Sequence, residues 1–332
     1  MFGVPEGKGI MAFSDTAGGN ACLSLAFMLE KEGCPMPALY TNNSNFINND
    51  WNCPVNFVND IEEVPEILKG DFLFTGTSHP GSSGGFELQF IQSAKRLQIL
   101  SISFIDHWVN FKIRFMKDAE IIYPDEIWIL DEKAREAAVI EGIPIEKLTI
   151  HENPQHLYLR KYWRPKFSSK DYLHQLGIVT KPDTKIILFA PDPVSLRYKE
   201  NELAFDEASA LKLIVQILSE TASRFVQAIL IIKPHPLQPE GKLEDVPESM
   251  QLVNIKCLII KKAQNLELIH SADIVVGFYS NFLLEALQLN KKVLRYFPGP
   301  ASLDPFEHLK EILPPLDEKE LYISLKNEFS NE

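Results

Sequence analysis

The chain has 332 residues, 45% of them hydrophobic, which is more than one typical domain holds and enough apolar content for two domains with cores of their own. That composition excludes a disordered or fibrous chain. The formal net charge of -12 repels phosphate backbones and anionic lipid surfaces, so no nucleic-acid partner is expected, although a local basic pocket could still hold one phosphorylated small molecule.

From Lys8 to Ser14 an apolar run ends in Asp15-Thr16-Ala17-Gly18-Gly19-Asn20, and Leu23, Ala26 and Phe27 then continue at helical spacing up to Gly33. This reads as strand, glycine loop and helix. The same alternation recurs as a strand at Ala38 to Asn42, a helix at Ile61 to Lys69, a strand at Asp71 to Thr77, a helix from Gly85 to Gln98 and a strand from Ile99 to Asp106. A strand at Glu126 to Leu130, a helix at Glu132 to Glu141 and a strand at Lys147 to Ile150 close the first set. Residues 156 to 184 lack a sustained period and read as a connector with one short helix near Lys170 to Leu176.

A second set follows: strand Lys185 to Ala190, helix Asp206 to Ala222, strands Ala228 to Lys233 and Leu258 to Lys262, helix Leu266 to Ser271, strand Ile274 to Phe278, helix Asn281 to Leu289 and strand Val293 to Tyr296. Alternating βα units with short loops imply mostly parallel sheets with helices on both faces, and ligands beyond the carboxyl ends of the strands. The expected fold class is α/β, with two Rossmann-like domains facing a cleft. The expected domains are residues 1–165 and 166–332, the last helix packing back on the first domain.

No run approaches the roughly 18 to 20 apolar residues of a membrane-spanning helix, and the first residues lack a signal-peptide layout, so a cytoplasmic location is expected. Cys22, Cys34, Cys53 and Cys257 form no CxxC pair and read as free thiols. His151 and His156, five apart with Glu152 between them, fit no metal-ligand spacing, and no metal is expected.

In Ala228 to Pro236 an apolar strand ends abruptly at Lys233-Pro234-His235-Pro236, where the prolines fix the chain's exit. His235 can then donate to a phosphate oxygen while Lys233 adds a point charge. The strand ending at Phe278 runs into Tyr279-Ser280-Asn281, whose hydroxyl and free helix amides suit a phosphate, and Glu285 lies one turn inside that helix, where it could bind ribose hydroxyls. Arg197 follows the first strand of the second set and could reach the same phosphate, or be a solvated cation.

In the first half, Asp15 is either a general base for a hydroxyl or a helix cap. Gly18 and Gly19 would let backbone approach a substrate. Asp106-His107-Trp108, with Arg114 two helical turns further if a helix follows, suits sugar binding and proton transfer, Trp108 being either a stacking surface or core. The polar segment Thr75 to Gly85 reads as a flexible, solvent-facing loop.

The Lys233 to Pro236 and Tyr279-Ser280-Asn281 motifs resemble the HP and serine motifs of the GT-B glycosyltransferases, in particular the sialyltransferase, polysialyltransferase and capsule Kdo-transferase types. The resemblance implies that His235 and Ser280 hold the phosphate of a CMP-linked donor, and that Glu285 stands where many GT-B enzymes bind the donor ribose. The main expectation is therefore glycosyl transfer from a CMP- or UDP-linked sugar to an acceptor hydroxyl in surface glycan biosynthesis, with Asp15, Asp106 or His107 as base. No cofactor is expected, the nucleotide sugar being the substrate. The acceptor is expected to be a glycan or a lipid-linked sugar, with peripheral contact to a membrane or a biosynthetic complex. The same fold also serves UDP-N-acetylglucosamine 2-epimerase-like isomerases, CDP-glycerol-type phosphotransferases and non-catalytic nucleotide-binding subunits.

Overall fold

A computed structural model of the chain describes residues 3–46, 51, 53–58, 69–117, 120–199, 202–221, 228–238, 241, 243, 245–248 and 255–329. It divides into two compact units, Met1–Tyr162 and Trp163–Glu332. In the first unit β1 (Gly9–Phe13), α1 (Thr16–Lys31), β2 (Ala38–Thr41), β3 (Val55–Phe57) and β4 (Phe72–Thr75) are followed by α2 (Pro80–Ser83), α3 (Phe86–Leu97) and β5 (Leu100–Phe104). A small antiparallel ribbon of β6 (Met116–Lys117) and β7 (Glu120–Ile121) precedes β8 (Glu126–Ile129), α4 (Glu132–Ile140), β9 (Leu148–Ile150) and α5 (Pro154–Lys161).

Seven strands form one parallel sheet in the order β3-β2-β1-β4-β5-β8-β9. The inner strands β1 and β4 are buried at every residue, as expected of a parallel sheet covered on both faces. Period-two alternation sorts their side chains. Ile10, Ala12 and Leu73 join Phe90 and Ile91 of α3 in one core cluster, while Met11, Phe13, Phe72 and Phe74 join Cys22, Leu25 and Met28 of α1 in the other. Each large side chain so buried contributes about 1.5–3 kcal/mol. Helix α1 is capped by the Asp15 side chain and gives out before Gly33, whose φ of +81° favours glycine.

The second unit repeats the plan with α6 (Ser169–Gln175), β10 (Lys185–Ala190), α7 (Val194–Arg197), α8 (Glu207–Thr221), β11 (Ala228–Ile232), α9 (Asp245–Glu248), β12 (Ile255–Ile259) and α10 (Asn265–Ser271). It ends with β13 (Ile274–Gly277), α11 (Asn281–Gln288), β14 (Lys292–Tyr296), β15 (Pro315–Leu316) and α12 (Glu318–Phe329). Its six strands are ordered β12-β11-β10-β13-β14-β15 and pair in parallel. Each sheet thus reverses direction at its first strand, with β1 between β2 and β4 and β10 between β11 and β13. Such a reversal opens a crevice at the carboxyl ends of the strands. The fold class is α/β with two Rossmann-like domains of the GT-B type.

Several local expectations change. The helix expected at Ile61 to Lys69 lies outside the described residues except at its last position. The expected connector carries two helices, α5 and α6, each started by a side-chain cap, Asn153 on Gln155 N and Ser168 on Asp171 N. Strand β12 pairs three residues earlier than the apolar run suggested, because it is a half-exposed edge strand on which Lys256 faces out. The last helix, α12, packs on α8 and β14 of its own unit and buries Leu321 and Leu325. No helix among the described residues is long and apolar enough to cross a membrane.

Candidate functional site

In the second unit β10 is hydrogen-bonded to both β11 and β13, so the chain exits after Ala190, Ile232 and Gly277 are neighbours at one sheet edge. These exits carry Asp192 and Arg197, then Lys233 and His235, then Tyr279 and Ser280. The Lys233 amide still donates to Phe189 O at 2.8 Å, after which Pro234 ends the ladder. The Lys233 ammonium donates to Lys261 O at 3.2 Å, and partial burial pushes its pKa down.

The Nδ1 atom of His235 accepts a hydrogen bond from the Leu237 amide at 3.1 Å. The neutral ring therefore carries its proton on Nε2, which is left as a donor. Burial pushes the His235 pKa down, and the charges of Arg197 and Lys233 push the same way. The Arg197 guanidinium lies 5.5 Å from the centre of the Tyr279 ring, a cation–π arrangement.

Ser280 is the N-cap of α11, yet its side chain makes no capping bond, and its Oγ is buried without a hydrogen-bond partner. A buried hydroxyl left in this state costs about 1–3 kcal/mol, so a ligand oxygen would gain that amount by pairing with it. Asn281 opens α11 and Glu285 lies one turn further, both half-buried. Pro236 is exposed in the turn that the Gln238 amide closes onto His235 O at 2.8 Å.

Asp192 was not singled out from the sequence, where only its neighbour Arg197 drew notice. It is 3% exposed, and its Oδ2 accepts the Tyr279 amide at 3.0 Å. Burial pushes its pKa up to about 6, with the Tyr279 amide and the Arg197 charge opposing. The exit of the central strand is thus tied to the turn that enters α11.

The first unit has a comparable tie. Glu87 of α3 is 3% exposed. Its Oε1 accepts the Ser14 amide at 2.9 Å and the Ser78 amide at 3.4 Å, and its Oε2 accepts the Ser78 hydroxyl at 2.6 Å. The carboxylate therefore joins the exits of β1 and β4, and burial pushes its pKa up. Sequence reading missed it because a glutamate early in an amphipathic helix ordinarily faces water.

Asp15 caps α1 by accepting the Gly18 amide at 2.8 Å. Its pKa is raised chiefly by burial and further by the charge of Asp106, against Gly18 N, Arg114 and His107. Asp106 is buried, its Oδ2 lies 3.6 Å from His107 Nε2 and has no hydrogen-bond partner, and His107 is largely exposed. No α-helix follows His107. A bend and a left-handed Asn110 (φ +62°) lead into a 3-10 turn at Lys112–Phe115, and Arg114 returns to donate to Thr77 O. The Trp108 indole donates to Asp131 at 2.8 Å and packs on the core.

Gly18 and Gly19 were expected in a loop open to substrate; both are buried in the first turn of α1. A Cβ at Gly18 would stand 2.9 Å from the Gly76 Cα, and one at Gly19 would stand 2.5 Å from the Phe46 ring. These glycines serve close packing. The segment after β4 is likewise not a solvent-facing loop throughout, since Thr77, Ser78 and Ser83 are buried and Thr77 donates to Phe104 O at 2.9 Å. His151 stacks on Trp128 with ring centres 3.8 Å apart. The described residues contain no group of three or more His, Cys, Asp or Glu that could hold a metal ion.

No family model matches the chain, and no curated protein matches it. Solved structures of two Rossmann-like domains do. The UDP-GlcNAc 2-epimerase of Methanocaldococcus jannaschii matches with TM-score 0.63 and 14% identity over 98% of this chain and 93% of that one. The UDP-GlcNAc 2-epimerase of Neisseria meningitidis, bound to UDP-GlcNAc, matches with TM-score 0.58 and 14% identity over 96% and 91%. The S. aureus MnaA–UDP co-structure matches with TM-score 0.61 and 12% identity over 98% and 88%.

At these identities the likeness is one of fold. It overturns the main expectation from sequence: the matching structures named for an activity are UDP-GlcNAc 2-epimerases, which are isomerases, rather than enzymes that transfer a sugar to an acceptor hydroxyl. The narrower resemblance to sialyltransferase, polysialyltransferase and Kdo-transferase types is corrected with it.

Proposed function

We propose that the chain is an isomerase of UDP-linked sugars, of the 2-epimerase kind, whose second unit binds the nucleotide diphosphate. The observation that carries this reading is the grouping of Arg197, Lys233 and His235 at the sheet edge where the Ser280 hydroxyl is buried and unpaired. An anion there would meet two positive charges, the His235 Nε2–H donor and the amide end of α11, the elements of a phosphate site at a helix N-terminus. The fold likeness to proteins that bind UDP or UDP-GlcNAc over nearly their whole length supports the choice of nucleotide. We assign Glu285 to the ribose and Asn281 to the same helix-end contact.

Inverting the carbon beside the anomeric centre requires loss of its proton and return of one to the opposite face. The electron pair left by that proton forms a double bond to the anomeric carbon as the bond from that carbon to the diphosphate breaks, and the negative charge gathers on the phosphate oxygens. A diphosphate oxygen then re-forms the bond to the anomeric carbon as a proton is delivered to the opposite face of its neighbour. Preorganised donors aimed at those oxygens lower that barrier. Proton transfer needs carboxyl groups held near their working pKa. Asp15 and Asp106, with His107 beside Asp106, are our candidates, since burial raises the Asp15 pKa, the charge of Asp106 adds to that, and Asp106 Oδ2 is buried without a hydrogen-bond partner.

Incubation with UDP-GlcNAc, followed by proton NMR of the sugar in deuterated water, tests the activity. A second UDP-N-acetylhexosamine carrying deuterium at the inverted carbon is expected. UDP should raise the melting temperature, and by less in Lys233→Ala and His235→Ala. A UDP shift with no new epimer would leave a binding protein and sink the isomerase reading; no shift with UDP would sink the site.

A further inference from the structure

A buried carboxylate beside an anion site needs a reason, because a phosphate brought to Ser280 would repel a charged neighbour in a poorly screened setting. Asp192 is that neighbour. It follows β10 at the sheet's reversal point, and its Oδ2 holds the Tyr279 amide, one residue before Ser280. That bond spans two adjacent strand exits and fixes the turn from which the Ser280 hydroxyl projects without a partner.

The charged and titratable groups facing Asp192 come from each element around it. Arg197 from α7 favours its ionised form, and Glu207 from α8 opposes it. The Tyr198 and Tyr279 hydroxyls lie within its field. Glu207 is itself occupied in accepting the Ser195 amide and hydroxyl at 3.2 and 3.0 Å. Arg197 is therefore the cation that Asp192 and an incoming phosphate would share.

We propose that Asp192 is a positioning residue of the anion site: its bond to the Tyr279 amide presents the Ser280 hydroxyl, and its carboxyl takes up a proton when a diphosphate enters. This role rests on the nucleotide-site reading above. When the phosphate draws the Arg197 charge to itself, Asp192 loses its compensating partner, and protonation relieves the repulsion. One carboxyl oxygen can carry the proton while Oδ2 continues to accept from the Tyr279 amide.

Calorimetric titration of the full chain with UDP-GlcNAc and with UDP, in buffers of different ionisation enthalpy at pH 7, tests this. The proton count is read with UDP-GlcNAc, whose doubly substituted diphosphate has no group titrating near neutrality. His235→Asn is included because His235 is the other group that could take up a proton. Net proton uptake that persists in His235→Asn and disappears in Asp192→Asn is expected. Asparagine keeps an acceptor for the Tyr279 amide without the charge, so Asp192→Asn should bind UDP at pH 8 several-fold more tightly than the wild type, and its affinity should vary less between pH 6 and 8. Asp192→Ala, which loses the acceptor, should bind more weakly at both pH values. Wild-type binding with no proton uptake in His235→Asn overturns the role of Asp192 and leaves the site standing, a result that needs no folded Asp192 variant. Absence of binding by the wild type with either anion removes the site and this role together.

Discussion

The Glu87 carboxylate accepts a hydrogen bond from the Ser14 amide at 2.9 Å, across the point where the first sheet reverses direction. With the Ser78 amide and hydroxyl on the same carboxylate, one side chain holds two strand exits. Alanine at position 87 leaves all three donors without this acceptor in a buried place, and a destabilisation of about 3 kcal/mol is expected. Glutamine keeps an acceptor for Ser14 and can donate to the Ser78 oxygen, so Glu87→Gln should lie within about 1 kcal/mol of the wild type. Urea unfolding of the two variants checks the difference.

Ser280→Ala removes a hydroxyl that has no partner in the free protein. The usual loss of about 1 kcal/mol for deleting a helix cap should therefore not appear, and the free variant should be as stable as the wild type or slightly more so. UDP affinity should nevertheless fall about tenfold, equivalent to about 1.4 kcal/mol. Unfolding and calorimetric titration of the same preparation separate the two effects.

His156 has its pKa pushed down to about 4, first by burial, with Arg160 acting the same way and Glu152 and Asp106 opposing. The unfolded chain binds a proton near pH 6.5 that the folded chain refuses, so stability from this group is present above that pH and is lost as pH falls through about 4. The loss amounts to about 3 kcal/mol at most. In His156→Gln the slope of unfolding free energy between pH 6.5 and 4 should flatten, as measured by urea titrations at a series of pH values.

Arg295 is 1% exposed, and its Nη1 donates to both Asp304 oxygens at 2.6 and 2.8 Å while its Nε donates to Leu313 O at 2.7 Å. Asp304→Ala strands a buried guanidinium and should cost about 3–5 kcal/mol. Arg295→Met combined with Asp304→Ala should recover most of that loss. Thermal unfolding of the single and double variants gives the comparison.

Both parallel sheets and most strands were legible in the sequence because their inner strands are unbroken apolar runs, as in Ala228 to Ile232. Strand β12 slipped by three residues because an edge strand exposes part of its pattern. The placement of Lys233, His235 and Ser280 just past strand ends was legible because prolines and a helix cap punctuate those ends. Asp192 and Glu87 were not, since a carboxylate beside proline or on a helix looks solvated until tertiary structure closes over it. The expectation of glycosyl transfer rested on motifs of phosphate binding, and such motifs mark a leaving group that transferases and epimerases share.

The contact between Gly18 and Gly76 sets a limit on how this protein can be altered. A Cβ at Gly76 would stand 2.6 Å from the Gly18 Cα, so two main chains touch there with nothing between them that a rotamer change could relax. The spacing between the start of α1 and the exit of β4 is consequently inherited from backbone alone. Engineering that seeks a wider crevice at this edge must work through Glu87 and its neighbours, because neither glycine can be exchanged while the other stays in place.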